Sequence, residues 1–228
     1  MKSFAQKVMA FNESIEFKGK LPANIKVMNP FKENEKVLSV AELFYSKFYN
    51  DTKKRKIILG INPGRFGAGV TGIPFTNSKR LYEVCKIKAD LDPTHEPSSV
   101  FIYDMIEQYG GVRKFYGNYY INSICPLGFI EKNKKGNWVN RNYYDYEALF
   151  RSAENFMIAS LKTQLSFGID TSVGYVLGKK NAGYIEQINE KGSFFDKIVV
   201  LDHPRFIQQY KVKSREKYIN DYLEKLAK

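Results

Sequence analysis

Apolar positions along the 228-residue chain follow two rhythms. Short β-branched runs alternate with longer stretches in which apolar residues return every three or four positions. The short runs predict strands over 56–61, 119–124, 172–177 and 197–201. The longer stretches predict helices over roughly 3–16, 39–49, 77–88, 99–109, 143–164, 181–190 and 215–227, with Ser78 and Ser214 as N-caps and Gly110 closing a helix. Strands separated by helices give an α/β fold with three layers, a mainly parallel central sheet flanked by helices. One domain over 1–228 is expected.

Each predicted strand runs directly into a cluster of small or polar residues. IILGI leads into Asn62-Pro63-Gly64, YYINSI into Cys125-Pro126-Leu127, VGYVL into Gly178-Lys179-Lys180, and IVVLD into His203-Pro204-Arg205. In a parallel sheet these clusters emerge along one carboxyl edge, where open α/β proteins place ligands. The pattern therefore predicts a single pocket fed by four strand ends.

Composition narrows the class. At 43% hydrophobic and 15% aromatic residues the chain can bury one sizeable core. Its apolar runs have the length of buried strands, and the N-terminal MKSFAQKVMAFNESIEF carries acidic residues without an uninterrupted apolar stretch, so a cytosolic location without membrane partners is expected. Cys85 and Cys125 form no CxxC pair, and His95 and His203 are the only histidines, so no metal or other cofactor is expected and both cysteines read as reduced core residues. The net charge of +12, from 36 basic and 24 acidic residues, points to a polyanionic partner.

The segment Gly60 to Phe75, GINPGRFGAGVTGIPF, carries four glycines after Gly60 and two prolines. Glycines let backbone approach a ligand, and Pro63 and Pro74 fix the turns on either side. On composition alone such a loop also suits a nucleotide phosphate. Its order of residues is more specific: Gly60-Ile61-Asn62-Pro63-Gly64, then Phe66-Gly67, then Thr71-Gly72-Ile73-Pro74-Phe75 resembles the first motif of the single-strand-selective monofunctional uracil-DNA glycosylases. Cys125-Pro126-Leu127 is similar to the CPL that follows that family's central strand, and His203-Pro204 to the start of its HPSPR loop.

The resemblance implies a DNA repair glycosylase with the uracil-DNA glycosylase fold, acting on DNA as a monomer without a metal. It implies that Asn62 holds the attacking water, that His203 donates a hydrogen bond to the pyrimidine O2, and that Phe75 stacks on a flipped base whose carbonyl meets the Ile61 amide. Gly64 is placed in the same base pocket. The family's base-reading asparagine falls at Ser123, with Asn122 beside it; neighbouring strand residues face opposite sides, and register favours Ser123. DNA contacts are expected from Arg65, Lys179, Arg205 and Phe206, the last two because the residues after His203-Pro204 depart from HPSPR while remaining cationic and apolar enough to wedge into the base stack. No lysine is required as a Schiff base, so the implied enzyme is monofunctional.

Other signals read as structural. The run from Gly174 to Lys180 is too short for a phosphate loop, Asp202 should face away from His203, and the stretch 132–141 is expected to be a solvated loop whose Lys134, Lys135, Trp138 and Arg141 are available to single-stranded DNA. A noncatalytic nucleic-acid binder and a free-nucleotide binder are the competing readings.

The charge balance predicts that affinity for DNA falls steeply with salt, with a slope reporting several neutralised phosphates and little dependence on sequence. Titrations of a labelled oligonucleotide at increasing salt check it. Salt-independent binding would make the positive charge irrelevant to recognition.

Overall fold

The computed structural model describes residues 1–227. Its centre is a four-stranded parallel sheet in the order β3 (Tyr119–Ser123), β2 (Arg55–Gly60), β6 (Ile169–Leu177), β7 (Lys197–Leu201), all four at the places the apolar runs predict. Helices cover the sheet: α1 (Phe4–Ser14), α3 (Glu35–Tyr49), α5 (Ser78–Glu83), α6 (Pro97–Tyr109), α7 (Val112–Asn118), α8 (Glu147–Leu165), α9 (Lys179–Gly192), α10 (Pro204–Tyr210) and α11 (Arg215–Leu226). Short turns of helix, α2 (Pro30–Glu33) and α4 (Ala68–Thr71), complete the connections. Among the described residues no helix is long and apolar enough to cross a membrane.

Local chemistry explains the boundaries. Ser3 and Gln6 form a reciprocal capping box at the start of α1. Gly110 closes α6 in the left-handed conformation, as expected. Asn77, not Ser78, caps α5: its backbone is extended and its side chain accepts from the Arg80 amide, while the Ser78 hydroxyl accepts from the Thr94 amide 3.2 Å away. Ser214 precedes α11 without a side-chain cap bond.

A second sheet departs from the sequence reading. Strands β1 (Ile25–Met28), β4 (Gly128–Lys132) and β5 (Trp138–Arg141) pair antiparallel in the order β1-β4-β5. The supposed loop over 132–141 is thus largely a hairpin, its turn closed by Asn133, whose side chain accepts from the amides of Lys135 and Asn137. Strands of only four or five residues show too few alternations to register as a period. Helix α8 likewise starts at Glu147, because Asn142 to Asp145 is a turn in which the Asp145 carboxylate accepts from the Asn142 amide at 2.9 Å.

The strands are anchored at their amino end by one buried cation. Arg55, at the start of β2, is 1% exposed. Its guanidinium donates to both Asp51 carboxylate oxygens at 2.9 and 3.0 Å and to the Lys53 carbonyl at 3.1 Å, while Nε donates to the Tyr116 carbonyl at 2.7 Å. Phe4 and Tyr49 each place a ring centroid 4.8 Å from Cζ. Burial pushes the Asp51 carboxyl up, but the Arg55 hydrogen bonds and the Lys53 amide outweigh it and hold the group below the usual carboxylate range.

Removing one partner of a buried pair leaves an uncompensated charge, so Asp51→Ala should destabilise the fold by about 3 kcal/mol. Urea denaturation of that variant and of Asp51→Ala/Arg55→Met tests this, the double variant recovering much of the loss. Because the Asp51 pKa is depressed by folding, its contribution is present above the ordinary carboxylate pKa and fades as the pH falls through the folded value.

Candidate active site

The ends of three of the four parallel strands, β2, β3 and β7, meet residues 95–98 and 139–140 around a cleft of about 410 Å³, which the cluster after β6 does not line. Its lining includes Ile61, Asn62, Gly64 and Arg65 from the turn after β2, Phe75, Ser123 at the end of β3, and His203 and Arg205 after β7. The sequence reading therefore brings most of its residues to one place. Three others lie outside the lining. Lys179 is the first residue of α9, and Phe206 is exposed on α10 against Tyr210, their ring centroids 5.7 Å apart. Asn122 is turned under the sheet edge.

Strand alternation separates Asn122 from Ser123. The Asn122 amide nitrogen donates to the Tyr120 hydroxyl at 2.6 Å, and its carbonyl oxygen accepts from the Ser123 amide at 2.8 Å. Asn122 does not line the cleft; it borders a separate small pocket with Tyr45 and Pro126, and its carboxamide is engaged by its own strand. Ser123 faces the cleft, and among the described residues its hydroxyl has no hydrogen-bond partner.

Phe75 forms one wall. Its ring covers Gly60, where an added Cβ would stand 3.2 Å from the ring edge, so a side chain there would require the ring to give by a few tenths of an ångström. Phe75 has a φ of 55°, a left-handed conformation costly for a non-glycine residue. The turn is over-braced to hold it: the Thr71 hydroxyl donates to the Thr76 carbonyl at 2.6 Å, and the Thr76 hydroxyl reaches the Pro74 carbonyl at 3.1 Å and the Tyr103 hydroxyl at 3.0 Å. His203 lies opposite, its ring centroid 6.5 Å from that of Phe75.

The His203 ring is fixed by the helix it caps. Its Nδ1 accepts from the Arg205 amide at 3.1 Å, which leaves the proton of the neutral ring on Nε2 as a donor. Burial and then the nearby Arg205 charge lower its pKa to about 4. At neutral pH the ring is an uncharged hydrogen-bond donor. Asp202, as expected, does not line the cleft; its backbone carbonyl accepts from the Tyr222 hydroxyl.

Asn62 is held by residues the sequence reading missed. Its amide nitrogen donates to the Arg141 carbonyl at 3.1 Å, and its carbonyl oxygen accepts from the Tyr143 amide at 3.1 Å. A carbonyl oxygen has two lone pairs, so one remains to accept from a water. Tyr143, fully buried, donates its hydroxyl to the Asn181 carbonyl oxygen at 2.6 Å, and the Asn181 amide donates to the carbonyls of Leu59 and Leu177 at 3.3 and 3.2 Å. Burial raises the Tyr143 phenol pKa and keeps it a donor. The ends of β2 and β6 are thereby tied through Asn181 and Tyr143 to the carboxamide of Asn62. The hairpin adds Asn140, whose side-chain oxygen accepts from the Arg65 amide at 3.1 Å. Glu96 also lines the cleft, with its carboxyl pushed up by burial to about 7. Among the described residues no three histidine, cysteine, aspartate or glutamate side chains gather in a metal-ligating cluster.

The family described as "Uracil DNA glycosylase superfamily" matches residues 46–227. Among solved structures, that of wild-type Pedobacter heparinus SMUG2 is 47% identical with a TM-score of 0.97, covering 100% of this chain and 98% of that one. No curated protein matches.

If the Asn181–Tyr143 link positions Asn62, then Tyr143→Phe, which strands the Asn181 carbonyl oxygen in the core, should cost about 1–3 kcal/mol of stability. Thermal melts and urea titrations measure it. A variant as stable as the parent would show that the link carries no weight.

Proposed function

The chain belongs to the uracil-DNA glycosylase superfamily, and from that premise we propose that it hydrolyses the N-glycosidic bond of uracil and related deaminated or damaged bases flipped from DNA, leaving an abasic site. The observation that carries the proposal is the pairing, in one cleft, of a fixed carboxamide at Asn62 with a neutral N–H donor at His203.

Glycosidic cleavage builds cationic character on the sugar and negative charge on the departing base. The His203 Nε2–H stabilises that negative charge as it appears, an interaction stronger in the transition state than with the bound base. Its neutral ring matters: a doubly protonated imidazole would face the Arg205 amide with a second donor and lose the contact that aims it. Once the sugar is cationic, a weakly activated water is sufficient, and Asn62 supplies position instead of basicity. Phe75 stacks on the base, the Ile61 amide and Gly64 border it, and the unpartnered Ser123 hydroxyl both donates to and accepts from its edge. No lysine attacks the sugar, so the product is an intact abasic site and the enzyme is monofunctional.

The DNA partner fits the +12 charge. Arg65 and Arg205 line the cleft and meet phosphates, Lys179 on α9 and the exposed Phe206 on α10 are further DNA contacts, and Arg205 or Phe206 fills the space left by the base. The β4–β5 hairpin extends this surface with Lys132, Lys134 and Lys135, and its Trp138 ring lies 5.3 Å from the Lys132 ammonium.

The test is single-turnover incubation with oligonucleotides carrying uracil and other deaminated or 5-substituted bases, followed by alkaline cleavage at abasic sites. Asn62→Ala should slow release by roughly 10²- to 10⁴-fold, and His203→Ala by about 10²- to 10³-fold for every base. Ser123→Asn should narrow the range toward uracil, because an amide leaves more buried groups unpaired against a wrong base. Binding without strand breaks for any base in the panel would favour a noncatalytic binder.

A further inference from the structure

One carboxyl group in the cleft has no partner. Glu96 occupies the N-cap position of α6, where an acidic side chain ordinarily gains by turning back onto the free amides of the first turn. It makes no such bond. The capping contacts come from its main chain, whose carbonyl accepts from the Ser99 amide at 3.1 Å and the Ser99 hydroxyl at 2.7 Å. The carboxyl instead reaches into the cleft and lies over Gly67 in the glycine-rich segment, where a Cβ would stand 2.4 Å from its Cδ and Oε1. Oε2 is buried and unpartnered among the described residues.

This arrangement gives up a cap and strands a polar atom, and such costs persist mainly where the group has work to do. Desolvation favours the neutral acid, and burial accounts for the rise to about 7. The charged and titratable groups around the same cleft are Arg65 on the glycine-rich segment, His95 beside Glu96, and His203 and Arg205 across the opening. None of them forms a hydrogen bond or ion pair with the carboxyl among the described residues.

We propose that Glu96 contacts the flipped base as a neutral acid, donating a hydrogen bond from its carboxyl to a carbonyl oxygen of the base, and that ionisation of Glu96 suppresses base release. The inference rests on the glycosylase reading above. A protonated carboxyl both donates and accepts, whereas a carboxylate only accepts. Deamination turns an amino group of the parent base into a carbonyl, and a carbonyl needs a donor. A carboxylate would also set negative charge in the cleft where the departing base becomes anionic, raising the barrier that His203 lowers. Phosphates arriving at Arg65 and Arg205 bring further negative charge and hold the proton on Glu96 more firmly.

Single-turnover release from a uracil-containing oligonucleotide, measured from about pH 6 to about pH 9, tests the proposal. The wild-type rate should decline above neutrality, approaching tenfold per pH unit, while Glu96→Gln, which has the same shape and cannot ionise, shows no such decline whatever its absolute rate. Glu96→Ala should be about tenfold slower than wild type at the acidic end, the loss of one hydrogen bond. Thermal melts confirm that each variant is folded. Superimposable pH profiles for wild type and Glu96→Gln would overturn the proposal.

Infrared difference spectra of the complex with a non-cleavable uracil analogue give a readout independent of turnover. A protonated-acid carbonyl band present in wild type and absent in Glu96→Gln is the expected result, and a group already ionised at the acidic end overturns the inference. A protein that shows the band yet cuts no uracil at any pH keeps the neutral acid and refutes the glycosylase reading, so the two failures are distinguishable.

Discussion

The site depends on one buried hydrogen bond, from the Tyr143 hydroxyl to the carbonyl oxygen of Asn181. At the carboxyl edge of a parallel sheet the strands separate and their last carbonyls lose their ladder partners. Near that edge Asn181 donates to the Leu59 carbonyl of β2 and the Leu177 carbonyl of β6, and accepts from the phenol with its remaining end. Its polar atoms are thus satisfied within the core, which is the condition under which a buried amide specifies a single arrangement instead of destabilising the fold. Because the Tyr143 main chain holds Asn62, one hydrogen-bonded chain links the strand ends to the Asn62 carboxamide. At the opposite end of β2, Arg55 and its aromatic cage fix the other terminus of the same strand.

Around this frame the cleft is electrostatically graded. Its mouth carries arginines suited to phosphates, whereas its interior holds groups kept neutral by burial, His203 among them. A neutral donor already oriented by its own helix needs little reorganisation when negative charge appears beside it. Burial discharges the histidine, while the Arg205 amide fixes its tautomer and orientation.

Much of this was legible in the sequence, and the reasons for the gaps are physical. The parallel strands β2 and β3 are buried almost throughout, and β6 is buried over its last four residues, so they read as short apolar runs; the glycine-rich segment and the His203-Pro204 turn carry residue types that ordinary loops do not need. Alternation along β3 predicts that Asn122 and Ser123 face opposite ways, and only Ser123 lines the cleft. The second sheet escaped because its strands are too short to show a period, and Tyr143 and Asn181 escaped because a tyrosine in a turn and an asparagine in a helix are commonplace until the fold brings them together. Glu96 had a faint signal: an acidic residue before Pro97 at a helix start, where serine or aspartate would cap better.

Phe75 carries a consequence for how such a pocket can diversify. Its backbone favours glycine or asparagine, while its place over Gly60 calls for a flat ring, and few residues satisfy both demands. Most substitutions there would either fold comfortably and lose the wall, or keep an aromatic plane within a narrow range of sizes. Ser123 is under no comparable restraint, since an extended strand end accepts almost any small polar residue. Variation of the cleft across related sequences should therefore accumulate at the strand tip, with the aromatic wall as the fixed surface beside it.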